Sequence, residues 1–224
     1  MTGASRGLGR ALADGLARDG WQLVIDGRDP DALAAARREL PGDVVAVAGD
    51  IGDPDHRAEL ITTAAETGPL ELLVHNAGIL GPSPLPPLSA FPLDELWRLL
   101  DLTVVAPLAL TQLALPFLRS RGGSIVAISS DAAVEAYPGW GGYGAAKAAL
   151  DHAMRVLAVE EPAVRVWAVD PGDLRTRMHQ EAFPGEDISD RPLPSTVVPA
   201  FLRLLASRPA SGRLRLSSLD LVTA

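Results

Sequence analysis

The chain of 224 residues has no cysteine and a single lysine. Without cysteine there are no disulfides, thiolate metal sites, iron–sulfur clusters or cysteine nucleophiles. Basic charge is also in short supply: 20 Lys and Arg against 28 Asp and Glu leave a net charge of −8. That balance argues against nucleic acid, whose binding surfaces are basic. No uninterrupted run of about 18 apolar residues occurs, which argues against a membrane span. No charged-then-apolar leader opens the chain, so a cytoplasmic location is expected. Of the four histidines (56, 75, 152 and 179), His56, His152 and His179 lack metal-ligand spacing and read as surface residues, so no metal site is expected; His179 also falls in the presumed substrate loop and is a candidate there. What is present in quantity is apolar residue, 47% of the chain, enough for a full core.

Short apolar strands alternate with longer helical stretches. Residues 8–19 read as a helix closed by Gly20, 22–26 as a strand, and 30–40 as a helix capped by Asp29 with Pro30 at its first position. Strand 44–48 precedes a helix that begins at Asp53-Pro54 and runs to Thr67. Strands follow at 70–75, 124–129 and 164–169, with helices at 93–119, 143–160 and 195–207 and a last short strand at 214–218. Segments 81–92 and 179–195 read as loops near a site. Near-continuous apolar strands alternating with helices imply an α/β fold, a single doubly wound domain over 1–224 with a parallel sheet. Such a fold has a strand leading into its first turn, yet the chain opens directly on Met1-Thr2-Gly3. The first strand is therefore expected to be missing, which would leave two mid-sheet edges unpaired.

Residues 2–9 read T-G-A-S-R-G-L-G. Gly3 can turn sharply, Gly7 admits a pyrophosphate against the backbone, and Gly9 permits close packing at a helix N-terminus that faces an anion. After strand 22–26 comes Gly27-Arg28, where an arginine accommodates a ribose 2′-phosphate. Arg6 supplies a second cation. Asp26 is the competing signal, because a carboxylate there favours the unphosphorylated cofactor. NADP(H) is expected over NAD(H).

Tyr143 and Lys147 lie four residues apart on a predicted helix and so share a face. Ser130 follows strand 124–129. Together with T-G-x3-G-x-G at 2–9, Asp50-Ile51, H-N-A-G at 75–78, Y-x3-K at 143–147 and P-G-x3-T at 171–176, these motifs make the chain resemble the short-chain dehydrogenase/reductase family. The motifs fall in family order along nearly the whole chain. The resemblance implies a hydride transfer between the cofactor and a carbonyl or alcohol. Tyr143 would be the general acid or base, with Lys147 lowering its pKa and binding the nicotinamide ribose, and Ser130 holding the reacting oxygen. It also implies cofactor contacts by Ser5, Leu8, Asp50 and Ile51 (the last two at adenine), by Asn76, Ala77 and Gly78 beside the adenosine, and by Pro171, Gly172 and Thr176 at the nicotinamide end.

Two positions depart from the family pattern. Many members carry an asparagine on the long middle helix that helps connect the lysine to solvent through water; here Thr103 takes that place, with a shorter reach. His75 replaces a commoner asparagine and serves at least a local hydrogen bond. Trp140 reads equally as a pocket wall and as packing. Small residues on helices 93–119 and 143–160 (Ala106, Ala109, Ala145, Ala146, Ala149) would let another copy approach, so a homodimer or homotetramer is expected. Two other activities fit the same residues: a dehydratase or epimerase working through transient hydride transfer, and a cofactor-sensing regulator with little or no turnover.

Overall fold

The computed structural model describes residues 1–221. The elements run α1 (Gly7–Arg18), β1 (Leu23–Gly27), α2 (Pro30–Glu39), β2 (Val44–Ala48), α3 (Pro54–Thr67), β3 (Leu72–His75), α4 (Leu93–Leu100), α5 (Ala106–Arg121), β4 (Ser124–Ile128), α6 (Gly141–Glu160), β5 (Arg165–Asp170), α7 (Arg177–Ala182), α8 (Val198–Ser207) and β6 (Gly212–Arg215). Asp29 and Asp53 cap α2 and α3 through their side chains, each with proline at the next position. Such caps contribute about 1 kcal/mol apiece. Gly20 takes a φ of +91° just past α1 and closes it.

All strand pairs are parallel, in two groups: β1 with β2, and β3-β4-β5-β6 in that order. Residues 1–4 lie between the groups. Thr2 N donates to Val74 O at 2.9 Å, Ala4 N to Asp26 O at 2.9 Å and Asp26 N to Met1 O at 3.2 Å. The edges of β1 and β3 expected to be bare are thus joined at their C-terminal ends by the extended chain that enters the glycine turn. Helices cover both faces, which explains why β4 is buried at every residue and β5 at all but one. On one face α1 and α8 pack over β1, β4 and β5 around Trp167 and Phe201; on the other α3, α5 and α6 enclose Leu110, Leu118, Ile125 and Met154.

The middle helix differs from its sequence reading. From Leu93 to Arg121 it is broken by a π-helical turn at Asp101–Val105. By length and composition this stretch is apolar enough to cross a membrane. It lies instead as a layer on the sheet, with Leu110, Ala114 and Leu118 buried and Val105, Leu113 and Phe117 exposed on the other side. Ala106 and Ala146, read as close-approach positions on an outer face, are fully buried. Segment 179–195, read as a loop, begins within α7, whose first turn is capped by Thr176 Oγ1 accepting from His179 N at 3.2 Å. The helix is six residues long and ends just before Pro184-Gly185, too short for a periodic signal.

Candidate active site

The C-terminal ends of β1 to β5 open into one cavity of about 1100 Å³. Its lining includes every residue selected from the sequence except Thr103, which is buried in the π-helical turn. A π-turn displaces one residue outward from the helical register, and such turns recur at functional sites.

The glycine turn forms the floor of one end. Gly3 and Gly7 have φ of +67° and +56°, which side chains rarely adopt. Gly9 is required by contact: a Cβ there would sit 2.1 Å from Gly3 O. Asn76 braces the turn, its Nδ2 donating to Thr2 O at 3.0 Å and Gly3 O at 2.9 Å. Its side chain is therefore committed to the protein, while Ala77 and Gly78 line the cavity. Arg6 precedes α1 without a side-chain capping bond, leaving the first-turn amides facing the cavity for an acceptor from outside.

Asp26, the competing signal, is buried and spoken for. Its Oδ1 accepts from Gly3 N at 2.5 Å and its Oδ2 lies 3.3 Å from His56 Nε2. His56 is thus a correction to the sequence reading: it is 5% exposed rather than at the surface. The hydrogen bond to Asp26 pushes its pKa up, against the opposing effect of burial. Gly49 explains how it fits, since a Cβ there would overlap the imidazole at 2.2 Å. With Asp26 so occupied, Arg6 and Arg28 are exposed cations at this end, and neither forms an ion pair among the described residues. Asp50 is exposed, its carboxylate accepting from Gly52 N at 2.9 Å, and Ile51 is buried beside it.

At the other end stand the residues with reactive chemistry. Ser130 caps a short turn after β4; its Oγ accepts from Ala132 N at 3.2 Å and donates to Asp131 Oδ1 at 3.0 Å. It lines the cavity beside Tyr143. Lys147 is 6% exposed, donates from Nζ to Ile128 O at 2.7 Å and lies 5.6 Å from the centre of the Tyr143 ring. Burial lowers its pKa to about 8, with Asp151 opposing the fall. Tyr143 corrects a second expectation. Enclosure by protein pushes its phenol well above the ordinary value of 10, and the neighbouring Ser130 hydroxyl opposes this only in part. The lowering expected from Lys147 does not prevail; its ammonium donates to the Ile128 carbonyl.

Trp140 meets Tyr143 edge-on at 5.6 Å and Phe183 at 6.0 Å, so it walls the pocket. His179 lines the same wall, 4.9 Å from Phe183; His152 is exposed. His75 is buried against Thr111 Oγ1 at 2.8 Å, and desolvation holds it neutral with a pKa of about 3. Pro171 and Gly172 line the cavity at the end of β5, where Gly172 N donates to Asp170 Oδ1 at 2.9 Å. Thr176 approaches Gly7 across the cleft while capping α7. Sequence reasoning passed over Asp131, Asp170, Asp151 and Arg213, which carry no motif.

A family model described as short chain dehydrogenase matches residues 1–187. Sepiapterin reductase of Rattus norvegicus is 40% identical over 198 residues, covering 81% of this chain and 76% of that protein. Among solved structures, a short chain dehydrogenase from Pseudomonas syringae superposes with a TM-score of 0.88 at 31% identity, covering 96% of this chain and 92% of the other. One from Shigella flexneri, complexed with NADP, gives 0.87 at 31% identity, with coverage of 96% and 93%. With the glycine turn, the Ser130–Tyr143–Lys147 cluster and these likenesses together, the chain belongs to the short-chain dehydrogenase/reductase family of oxidoreductases.

Proposed function

We propose that the protein reduces a small carbonyl compound with NADPH, Tyr143 giving the proton. The observation that carries this is the Ser130–Tyr143–Lys147 cluster: a phenol that keeps its proton, in the same cavity lining as a serine hydroxyl and beside a buried ammonium, in the cavity that begins at the glycine turn. When bound, the cofactor supplies the hydride to the carbonyl carbon. Tyr143 passes its proton to the carbonyl oxygen, and Ser130 orients that oxygen by a hydrogen bond. The phenolate left behind is stabilised by the Lys147 charge, which also fits the nicotinamide ribose hydroxyls. Thr103, buried in the π-helical turn that packs on α6, contributes a hydroxyl for water on the route by which the site regains a proton.

The phosphate end of the cofactor fits Gly3, Ser5, Gly7, Leu8 and Gly9 with the first turn of α1. Asp50 and Ile51 fit adenine; Ala77 and Gly78 lie beside the adenosine; Pro171, Gly172 and Thr176 face the nicotinamide end. Arg6 and Arg28 favour a 2′-phosphate, and the engagement of Asp26 with Gly3 and His56 removes the group that would favour its absence. The solved relative complexed with NADP supports this preference. Trp140, Phe183 and Tyr137 suit a flat substrate, and the likeness to sepiapterin reductase makes sepiapterin the first compound to test.

The test is NADPH oxidation with sepiapterin and a panel of aromatic and aliphatic ketones and aldehydes. Turnover by the parent, lost in Tyr143→Phe with NADPH affinity retained, is the expected result. NADPH binding with no turnover across the panel overturns it in favour of a cofactor-sensing role. The outer face of α4, α5 and α6, with Trp97, Val105, Phe117 and Val159 exposed, supports a homodimer or homotetramer. Light scattering at micromolar concentration decides between that and a monomer.

A further inference from the structure

Behind the reactive face lies a second charged cluster. Arg213 on β6 reaches three parts of the site at once. Its Nε donates to Asp151 Oδ2 at 2.9 Å, and its second nitrogen donates to the main-chain carbonyl of Ser130 at 2.9 Å and lies 3.5 Å from Asp170 Oδ2. Arg215 supports Asp170 at 3.1 Å, and the other Asp170 oxygen holds Gly172 N. Asp151 is on α6, four residues after Lys147 as Lys147 is four after Tyr143, so the three share one helical face. Asp151 and Asp170 are buried, 6% and 1% exposed. One feature sets Asp151 apart from an ordinary buried ion pair: its Oδ1 has no hydrogen-bond partner among the described residues. A buried carboxylate oxygen left so is costly unless its charge serves a nearby cation.

We propose that Arg213 and Asp151 are positioning residues for the reaction proposed above, on which this inference rests. Arg213 locks the Ser130 turn and the Asp170–Gly172 turn to α6, and Asp151 maintains the Lys147 ammonium. Arg213 thus ties the Ser130 turn, which lines the cavity beside Tyr143, to Asp151, which lies one helical turn beyond Lys147. Only a planar fork with several donors can hold a carbonyl and two carboxylates together, which is why arginine suits this position. The ionisable groups on elements packed around α6 are Asp131 on the turn after β4, Asp101 on the π-helical turn, Asp94, Glu95 and Arg98 on α4, Arg165 and Asp170 on β5, and Arg213 and Arg215 on β6. Of these, Arg98 is engaged with Glu95 and Arg215 with Asp170. Asp151 is the carboxylate whose field raises the Lys147 pKa.

Because Lys147 is the sole lysine, selective lysine Nζ labelling with 15N gives a single side-chain resonance, whose titration reads this group whether or not turnover is found. In Asp151→Asn the Lys147 midpoint falls by ~0.5 pH unit or more, and the alkaline limb of kcat/KM moves the same way. A purely structural ion pair would lower stability without moving either midpoint, so an unmoved Lys147 resonance overturns the electrostatic half. In Arg213→Gln, kcat falls ~10-fold or more and NADPH binds several-fold more weakly as both turns loosen. Should Arg213→Gln fail to fold, Arg213→Lys keeps the charge without the fork. A kcat and NADPH affinity within two-fold of the parent in whichever variant folds overturn the positional half. If the parent turns over no substrate, the proposed activity fails alone, while the Lys147 titration and NADPH affinities still decide the inference.

Discussion

Lys147→Met is the perturbation that best separates what this site needs from what the fold needs. The substitution keeps the length of the side chain and removes the ammonium. The lysine pKa drops from 10.5 to about 8 on folding, which corresponds to about 3.4 kcal/mol at 1.36 kcal/mol per pH unit. Against that relief stands the 2.7 Å bond from Nζ to Ile128 O, a charge-assisted contact contributing about 1.5 kcal/mol. The net is a stabilisation of about 2 kcal/mol at pH 7, in a variant with no turnover. In urea, with a slope of about 2–3 kcal/mol per molar for a chain of this size, the midpoint rises by about 0.7–1 M. The pH dependence follows from the direction of the shift. Below pH 8 the lysine is protonated folded and unfolded, so the burial penalty is present in full. Between about 8 and 10.5 the folded parent gives up its proton while the unfolded chain keeps it, so the parent gains stability as pH rises. The advantage of the methionine variant therefore shrinks through that window and is gone above it. Urea titrations followed by tryptophan fluorescence at pH 7 and pH 10 measure both quantities. A methionine variant less stable than the parent at pH 7, or an advantage that does not shrink by pH 10, would refute the reasoning.

Arg28→Ala should raise KM for NADPH by about ten-fold or more and leave KM for NADH nearly unchanged, since it removes a charge reserved for the 2′-phosphate; equal effects on both would contradict that role. Gly9→Ala places a Cβ 2.1 Å from Gly3 O, a clash with backbone that costs about 2–3 kcal/mol. Its melting temperature should fall by about 5–10 °C and NADPH binding should be lost, which calorimetry and fluorescence titration read separately. Thr103→Asn lengthens the polar reach in the π-helical turn and should raise kcat by about two-fold or more. A fall instead would assign Thr103 a role of its own.

Much of the framework was legible because its signals are local. Asp29-Pro30 and Asp53-Pro54 announce helix starts by capping chemistry confined to two or three residues, and the structure begins α2 and α3 there. The glycine turn and the Tyr143–Lys147 spacing are equally local. What escaped depends on residues distant in sequence. His56 joins Asp26 across 30 positions, and Arg213 joins Ser130 across 83; a lone histidine or arginine gives no sign of its partner. The π-helical turn at Thr103 escaped for another reason, since one extra residue in a long apolar helix hardly disturbs the hydrophobic period. The bridging role of residues 1–4 was invisible because their pairing is a property of the strands on either side.

Tyr143 shows why residue identity alone leaves the direction of proton transfer open. An ammonium beside a phenol favours phenolate, and from sequence that is the effect to expect. In the folded chain the ammonium is drawn to Ile128 O and its pKa is lowered by burial, while the phenol lies beside Trp140, Ser130 and the turn after β4. Asp131 and Asp170 add negative potential, and both push the phenol pKa further up. Ser130 alone among these neighbours pulls it down. The sum is a tyrosine that holds its proton at neutral pH, which is the state needed to protonate an oxygen that gains charge as a carbonyl is reduced. A base for alcohol oxidation would require the opposite balance. Under the proposed chemistry, then, the arrangement of Tyr143, Ser130 and Lys147 favours reduction at neutral pH, and rising pH should penalise reduction first through loss of the Lys147 charge near pH 8, before Tyr143 itself ionises.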